Sequence, residues 1–262
     1  MTIAEVNGRA VPYEDSGGSG IPVVLAHGFL MDRSMFESQL AALRDRYRVI
    51  TYDERGHGEA ADDPDPYTYW DLADDLAGLL DHLGLERAVI GGMSQGGFIS
   101  LRFALRYPSR VIGLVLLDSQ AGVELEEKRG EYEAMRSVWV EDGPSELMGS
   151  MVAAIILGTY PGNPDWVGKW MVRYPTGLGQ AYTTLMDRDD ITDRLGEITA
   201  PALVVHGDED AAIPMERAEA LCAGLSGCAG VVVVTGGSHA ANLTRPEAVN
   251  TAIAGFLAGL SA

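Results

Sequence analysis

Apolar runs of six to eight residues alternate along the chain with stretches in which apolar residues recur every three or four positions. The runs are almost continuously hydrophobic, which is typical of strands that are covered on both faces. They lie at residues 22–28, 47–53, 87–92, 111–118, 201–208 and 230–236. Two weaker runs, near 2–7 and 10–15, are expected to add an antiparallel edge. The alternation predicts an α/β fold, a mostly parallel sheet flanked by helices.

The stretches between these runs carry helix signals. Residues 71–83 place five leucines on one stripe, which predicts an amphipathic helix. Ser34 with Glu37, and Thr244 with Glu247, have the spacing of a capping box, in which two side chains satisfy the free N–H groups of the first turn. Helices are therefore expected to begin at Ser34 and at Thr244.

Residues 119–195 interrupt the alternation with no convincing strand and are interpreted as about four helices. This segment holds five of the ten methionines and three of the four tryptophans, side chains that form adaptable apolar pocket walls. We interpret it as a helical cap on a core formed by 1–118 and 196–262. The alternative is that its large side chains form a small core of their own. The candidate pocket residues are Leu30, Trp139, Met151, Trp166, Trp170 and Tyr174.

The net charge is −19, from 38 acidic and 19 basic side chains. This balance argues against nucleic acid and anionic membrane surfaces as partners and is typical of a solvated acidic surface. No apolar run approaches the roughly 18 residues of a membrane span and no signal peptide is recognised, so the expected location is the cytoplasm. Cys222 and Cys228 are accordingly expected to be reduced, inert thiols.

The sequence "GGMSQGG" at 91–97 surrounds Ser94 with glycines, between a predicted strand and a predicted helix. In that context Gly-x-Ser-x-Gly indicates a nucleophile elbow, a strained turn that presents a serine hydroxyl. Gly92 and Gly96 then avoid the Cβ clashes of a closely approached turn. A glycine-rich packing turn is the simpler alternative, and the flanking strand and helix favour the nucleophile.

A serine nucleophile needs a base, and five histidines are available. His239 follows the last predicted strand, and loops at the carboxyl ends of strands carry the chemistry of open α/β sheets. His82 lies on a polar helix face, His206 ends a buried strand, and His27 and His57 lie in glycine-flanked turns. His239 is therefore the predicted base.

The base in turn needs a carboxylate to hold its tautomer and stabilise the imidazolium. The sequence "VVHGDEDAAIP" offers Asp208, Glu209 and Asp210 after a strand, and Asp210 is the predicted acid. Asp118, which ends another strand, is the alternative. The oxyanion of a tetrahedral intermediate needs donors as well. The predicted donors are the backbone N–H groups of Gln95 and Phe29.

The sequences "AHGFL", "YDERGHGEA", "GGMSQGG", "VVHGDEDAAIP" and "GSHAANLTRPEAV", in this order and spacing, resemble the α/β-hydrolase family over nearly the whole chain. The resemblance implies an eight-stranded sheet, a helical cap after the sixth strand and a Ser94–Asp210–His239 triad. It implies no metal or organic cofactor. The size and compact cap are similar to those of 3-oxoadipate enol-lactonases and small carboxylesterases.

The resulting hypothesis is a serine hydrolase that cleaves a small, largely apolar ester or lactone through an acyl-enzyme on Ser94. Carbon–carbon bond hydrolases and cofactor-free haloperoxidases or perhydrolases share the implied triad and remain alternatives. A third alternative is a ligand receptor of this fold that hydrolyses its ligand slowly.

Overall fold

The structure is a computed structural model that describes residues 2–60, 65–123, 126–141, 143, 145–173 and 178–260. Eight strands form one sheet within these residues. They are β1 (Thr2–Val6), β2 (Arg9–Asp15), β3 (Pro22–Ala26), β4 (Arg48–Tyr52), β5 (Ala88–Met93), β6 (Val111–Leu117), β7 (Ala202–Gly207) and β8 (Cys228–Val234). The antiparallel strands β1 and β2 lie at one edge, and the six others run parallel. The predicted mostly parallel sheet is confirmed.

The strand order, β1-β2-β4-β3-β5-β6-β7-β8, determines where a site can form. From β3 the chain first moves outward to β4 and then crosses back to β5 on the other side of β3. The loops that follow β3 and β5 therefore leave neighbouring strands in opposite directions and open a crevice at the carboxyl edge. The predicted oxyanion loop "HGFL" and the predicted nucleophile turn both lie at this crevice.

Ten α-helices are described. They are α1 (Glu37–Leu43), α2 (Tyr69–His82), α3 (Gln95–Arg106), α4 (Glu126–Glu141), α5 (Glu146–Leu157), α6 (Asn163–Arg173), α7 (Leu178–Met186), α8 (Met215–Gly224), α9 (Ala241–Thr244) and α10 (Pro246–Ala258). The helices α2, α3 and α8 cover one face of the sheet, and α1 and α10 cover the other. Each face of the sheet forms a hydrophobic core with its helices, the first core with α2, α3 and α8 and the second core with α1 and α10. Alternate strand residues contribute to the two, so that Val24 packs in the first core and Leu25 in the second. The helices α4 to α7 lie between β6 and β7 in the chain.

Both predicted capping boxes are wrong, because Asp32 takes the capping position at the first site and Thr244 has another hydrogen-bond partner at the second. Asp32 caps the short 3-10 turn before α1, since its carboxylate accepts the N–H of Ser34 at 2.9 Å. The hydroxyl of Thr244 accepts the N–H of Ser238 at 3.2 Å, and the helix begins two residues later, at Pro246. Proline suits a first helical position because its missing N–H has no partner there.

The cysteines also differ from the expectation, because Cys222 and Cys228 form a disulfide. The end of α8 and the start of β8 bring their Cα atoms to 5.4 Å, a separation that a disulfide spans without backbone movement. Bonded cysteines are typical of oxidising compartments, so this pair does not support the expectation of a cytoplasmic location. None of the described helices is long and apolar enough to cross a membrane.

Candidate active site

Ser94 occupies a sharp turn between β5 and α3. Its backbone has φ 51° and ψ −110°, a left-handed region that residues with a side chain rarely adopt. Hydrogen bonds to the end of β6 and to the residues after it hold the turn. The Ser94 N–H donates to the Leu117 carbonyl at 2.8 Å, and the Ser94 carbonyl accepts from Ser119 Oγ at 2.8 Å. The surrounding structure thus maintains the strained conformation. Strained residues that are held in this way are typically found at functional sites.

The flanking glycines allow this turn to pack directly on β3. A Cβ atom at Gly92 would lie 2.5 Å from the Ala26 carbonyl oxygen and 2.6 Å from the Gly96 carbonyl carbon. A Cβ atom at Gly96 would overlap the same Ala26 oxygen. Both obstacles are backbone atoms, which cannot move aside as a flexible side chain can.

We expect Gly96→Ala to lower the free energy of unfolding by about 3 kcal/mol, because the added methyl group overpacks a rigid contact. Gly168→Ala is the matched control, since a Cβ there meets nothing within 4 Å on α6 and should leave stability unchanged or slightly higher. Urea unfolding of both variants measures the difference. Equal midpoints for the two variants would contradict the close approach.

His239 lies in the loop after β8 and connects the serine to a carboxylate. Its Nε2 atom is 3.0 Å from Ser94 Oγ, and its Nδ1 atom is 2.8 Å from Asp210 Oδ2. Ser94 and His239 are 9% and 6% exposed, so the contact is largely shielded from water. The three residues are distant in sequence, and the carboxyl ends of β5, β7 and β8 bring them together.

Asp210 is oriented by the backbone that follows it. Its Oδ1 atom accepts the N–H groups of Ala212 at 2.8 Å and Ile213 at 2.9 Å, which leaves Oδ2 for His239. Burial alone would raise the pKa of the Asp210 carboxyl, but His239 and the Ile213 N–H together hold that pKa below its ordinary value. The carboxylate is therefore ionised when it faces the imidazole.

Asp118, the alternative acid, is placed differently. Its two oxygens accept the N–H of Gly207 at 2.8 Å and of Ala241 at 3.1 Å, and it makes no described hydrogen bond to His239. Burial, and then the charge of Asp210, raise the pKa of Asp118 well above its ordinary value. Asp118, His206 and Asp210 have possible metal-ligand atoms within 4.8 Å of one another. Both carboxylates are already engaged by backbone N–H groups, so these residues do not form an open metal site.

The predicted oxyanion donors lie on the two sides of the crevice. Gln95 begins α3 directly after the serine, and Phe29 lies in the turn after β3. Within the described residues, neither backbone N–H donates a hydrogen bond to another protein group. Both donors are thus available to an oxygen atom bound beside Ser94.

Three of the other four histidines, His27, His57 and His206, make local contacts. His27 Nδ1 donates to the Gly28 carbonyl at 2.8 Å, and burial lowers the pKa of His27 to about 4. His57 Nδ1 donates to the Arg55 carbonyl at 2.9 Å, and burial lowers its pKa to about 3. His206 Nε2 lies 2.8 Å from the Ile213 carbonyl. These rings are neutral members of the scaffold near pH 7.

A cavity of about 530 Å³ opens beside Ser94 and His239. Apart from these two residues, its described lining is apolar except for Tyr132, and it includes no lysine, arginine, aspartate or glutamate. Five methionines contribute to the wall: Met93, Met135, Met148, Met151 and Met186. The cavity suits an apolar, uncharged group of adaptable shape.

Leu30 and Met151 line this cavity, as does Phe29, whereas three predicted pocket residues do not. Trp139, Trp166 and Trp170 are buried in the second core. Trp170 donates its indole N–H to the Leu30 carbonyl at 2.7 Å, and its ring packs edge-on against Trp139. Their large surfaces join the helices after β6 to the core instead of facing a ligand. The sixth candidate, Tyr174, lies outside the described residues.

Sequence reasoning missed most of the actual wall. Met148, Val152, Ile155 and Ile156 lie on α5, and Met135 lies on α4. The available signal was the composition of 146–157, in which apolar residues predominate and are not confined to one stripe. The apolar side chains of such a helix are not confined to one face, and on α5 some border the cavity while Leu147 is exposed.

Comparison with known proteins identifies the class. The family model described as "alpha/beta hydrolase fold" matches residues 21–246, and the chain belongs to this family. It is 27% identical to 3-oxoadipate enol-lactonase 2 of Acinetobacter baylyi, over 93% of this chain and 91% of that protein. A thermophilic esterase from Thermogutta terrifontis is 32% identical, with a TM-score of 0.88 over 98% of this chain and 97% of that one. A bromoperoxidase from Bacillus anthracis is 26% identical, with a TM-score of 0.87 over 98% and 99%.

Proposed function

We propose that this protein is a serine hydrolase that cleaves a small, largely apolar, uncharged carboxylic ester or lactone through an acyl-enzyme on Ser94. The observation that carries the proposal is the hydrogen-bonded chain Ser94–His239–Asp210, whose hydroxyl end opens into the apolar cavity. A weak nucleophile becomes reactive when a base lies within hydrogen-bond reach and a third group orients that base.

In the proposed mechanism, His239 Nε2 accepts the Ser94 proton as Oγ attacks the substrate carbonyl carbon. Asp210 Oδ2 accepts a hydrogen bond from the Nδ1–H of His239, remains ionised and stabilises the imidazolium that forms. The N–H groups of Phe29 and Gln95 bind the oxyanion of the tetrahedral intermediate. His239 then donates its proton to the leaving alcohol. A water molecule repeats the sequence on the acyl-enzyme, releases the acid and restores the serine. These steps require no cofactor.

The helices after β6 act as a cap over the acyl group in this proposal. We assign residues 1–118 and 196–262 to the hydrolase core and 119–195 to the cap. The helices α4, α5 and α7 all contribute to the cavity wall. Lys169 on α6 pairs with Asp32 after β3 at 3.1 Å, which ties this segment to the oxyanion loop.

The lining argues for an uncharged substrate. Burying an unpaired carboxylate in an apolar site is costly, and the described lining includes no lysine or arginine to pair with it. Arg33, which could attract an anion, is engaged by Asp53 and by Glu59. An anionic enol-lactone is therefore disfavoured, although a relative is named for one.

Two esters of the same shape test this conclusion. Methyl pentanoate and monomethyl glutarate differ in that a terminal methyl group is replaced by a carboxylate. We expect kcat/KM to be at least about 100-fold higher for the uncharged ester, because the anion loses its hydration without gaining a partner. Acid release followed in a pH-stat measures both rates, and a fluorophosphonate that labels Ser94, located by peptide mass spectrometry, identifies the nucleophile. Equal rates for the two esters, or labelling elsewhere, would contradict the proposal.

A second candidate is a perhydrolase or cofactor-free haloperoxidase, and the similarity to a bromoperoxidase favours it. The same acyl-enzyme would then be attacked by hydrogen peroxide in place of water, giving a peracid. Peracid formation from acetate and hydrogen peroxide, compared with ester hydrolysis by the same preparation, separates the two reactions. A dienone substrate tests carbon–carbon bond hydrolysis in the same way, and single-turnover behaviour on all substrates would indicate a receptor.

A further inference from the structure

The side chain of Gln95 is held at both ends beneath the nucleophile turn. Its Nε2 atom donates to Glu54 Oε2 in a short hydrogen bond, and its Oε1 atom accepts the hydroxyl proton of Tyr69 at 2.9 Å. Gln95 and Glu54 are each 2% exposed, and Tyr69 is 1% exposed. The backbone N–H of Gln95 is a proposed oxyanion donor. Its side chain is therefore held between the turn that follows β4 and the first residue of α2.

Glu54 also contacts the other side of the crevice. Its backbone N–H donates to His27 Nε2 at 3.1 Å, and His27 Nδ1 donates to the Gly28 carbonyl at 2.8 Å. The peptide of that carbonyl contains the N–H of Phe29, the second proposed oxyanion donor. The two hydrogen bonds of His27 require a neutral ring with its proton on Nδ1, which agrees with the lowered pKa of this ring.

One residue thus connects both donors. The side chain of Glu54 holds Gln95, and its backbone holds His27 and, through it, the Gly28–Phe29 peptide. Oxyanion stabilisation depends on donors being fixed in place before the charge develops, and a displacement of well under 1 Å weakens it. A connection of this kind keeps the spacing of the two N–H groups constant.

Glu54 can serve as this connection as an uncharged group. Burial raises the pKa of its carboxyl well above the ordinary value, and the neighbouring Asp53 carboxylate raises it further. Tyr52, Tyr69 and His27 also lie around it, and the guanidinium of the neighbouring Arg55 is paired with Asp75. Burial and the Asp53 carboxylate thus favour the acid form, which accepts from the Gln95 amide through its carbonyl oxygen.

We propose that Glu54 is a positioning residue for catalysis, which sets the spacing of the Phe29 and Gln95 N–H groups through His27 and the Gln95 side chain. The inference rests on the proposed function, because it assigns these N–H groups to the oxyanion. It predicts that the hydrogen bonds of Glu54 to Gln95 and His27 lower the free energy of the transition state without changing the affinity for the substrate.

The first test compares Glu54→Leu and Glu54→Gln with the wild-type protein on p-nitrophenyl butyrate. Leucine removes the acceptor for Gln95, and we expect kcat to fall about 10- to 100-fold, somewhat less than for complete loss of one oxyanion donor, while KM stays within about threefold. Glutamine restores an uncharged acceptor at the same position, and kcat should return to within about threefold of the wild-type value. Inhibition by a trifluoromethyl ketone, which forms an oxyanion on Ser94, should weaken in Glu54→Leu by the same factor as kcat.

Tyr69→Phe keeps the inference testable if Glu54→Leu does not fold. It removes the hydroxyl that binds the other end of the Gln95 amide, and kcat should fall about three- to tenfold. Tyr67→Phe is the matched control, because this buried hydroxyl donates to the Arg55 carbonyl and does not contact Gln95. Its kcat should stay within about twofold.

Unchanged kcat in both Glu54→Leu and Tyr69→Phe, a loss that falls on KM, or a failure of Glu54→Gln to restore kcat would overturn the inference. These outcomes differ from a failure of the proposed function. In that case the wild-type protein itself would not hydrolyse the ester, or would do so without Ser94.

Discussion

Replacing Ser94 by alanine is expected to lower kcat for p-nitrophenyl butyrate by on the order of 10⁶-fold while the protein stays folded. The substitution removes the oxygen that attacks the ester in the proposed mechanism, and His239 then has no proton to accept from the enzyme. The residual rate would come from the oxyanion donors and the cavity acting on water alone. Alanine also lacks only one atom at a turn whose φ is 51°, so the change adds no new steric conflict.

Ser100→Ala controls for the loss of a buried hydroxyl in the same helix. Ser100 Oγ donates to the Gly96 carbonyl at 2.7 Å and does not touch His239. Its kcat should stay within about threefold of wild type, and circular dichroism and thermal unfolding should show both variants to be folded. If Ser94→Ala kept more than about 1% of the wild-type rate after careful purification, an acyl-enzyme on Ser94 would not be the route.

The strands and the nucleophile turn were predictable because their signals are local. Both faces of the central strands are buried, so continuous apolar runs mark them without knowledge of their neighbours. The turn at Ser94 requires glycines because backbone atoms of Ala26 lie against it, and glycine is visible in the sequence even when the contact is not. The proximity of His239 and Asp210 could be predicted from their positions after strands, since those loops share one edge of the sheet.

Which apolar side chains would face a ligand could not be predicted. Trp139 and Trp170 looked like pocket walls by size, but a tryptophan buries more surface than a methionine when it is internal, and the N–H of Trp170 is paired with the backbone. Amphipathic patterns tell which residues leave water and not what they pack against. The pairing of Glu54 with Gln95 has no sequence signal, because the residues lie 41 positions apart on different elements.

If Asp210 is the carboxylate partner of His239, we expect Asp210→Asn to lower kcat by about 10⁴-fold. The orientation of the new amide follows from the structure. Ala212 and Ile213 both donate to Oδ1, so the amide oxygen stays there and the NH₂ group takes the place of Oδ2. That group can only donate, which forces His239 to accept at Nδ1 and to carry its proton on Nε2. A ring in this tautomer cannot take the Ser94 proton.

Asp118→Asn is the matched comparison, because it converts to an amide a second buried carboxyl group, which has an oxygen within 4.8 Å of Asp210. Asp118 has φ 47°, which asparagine tolerates well, and its raised pKa already favours an uncharged group. The variant should lose about 1–3 kcal/mol of stability, since one of the two N–H groups from Gly207 and Ala241 would face an amide nitrogen.

The kcat of Asp118→Asn for p-nitrophenyl butyrate should nevertheless stay within about tenfold of wild type. The assay is run at a temperature at which thermal unfolding curves show that both variants are still folded. The reverse pattern, with Asp118→Asn inactive and Asp210→Asn active, would make the residue after β6 the acid. Equal large losses would mean that the two carboxyls act as one unit around His206, since Asp210 lies 3.3 Å and Asp118 3.9 Å from its ring nitrogens. Only a loss confined to Asp210 agrees with a single ionised partner for His239.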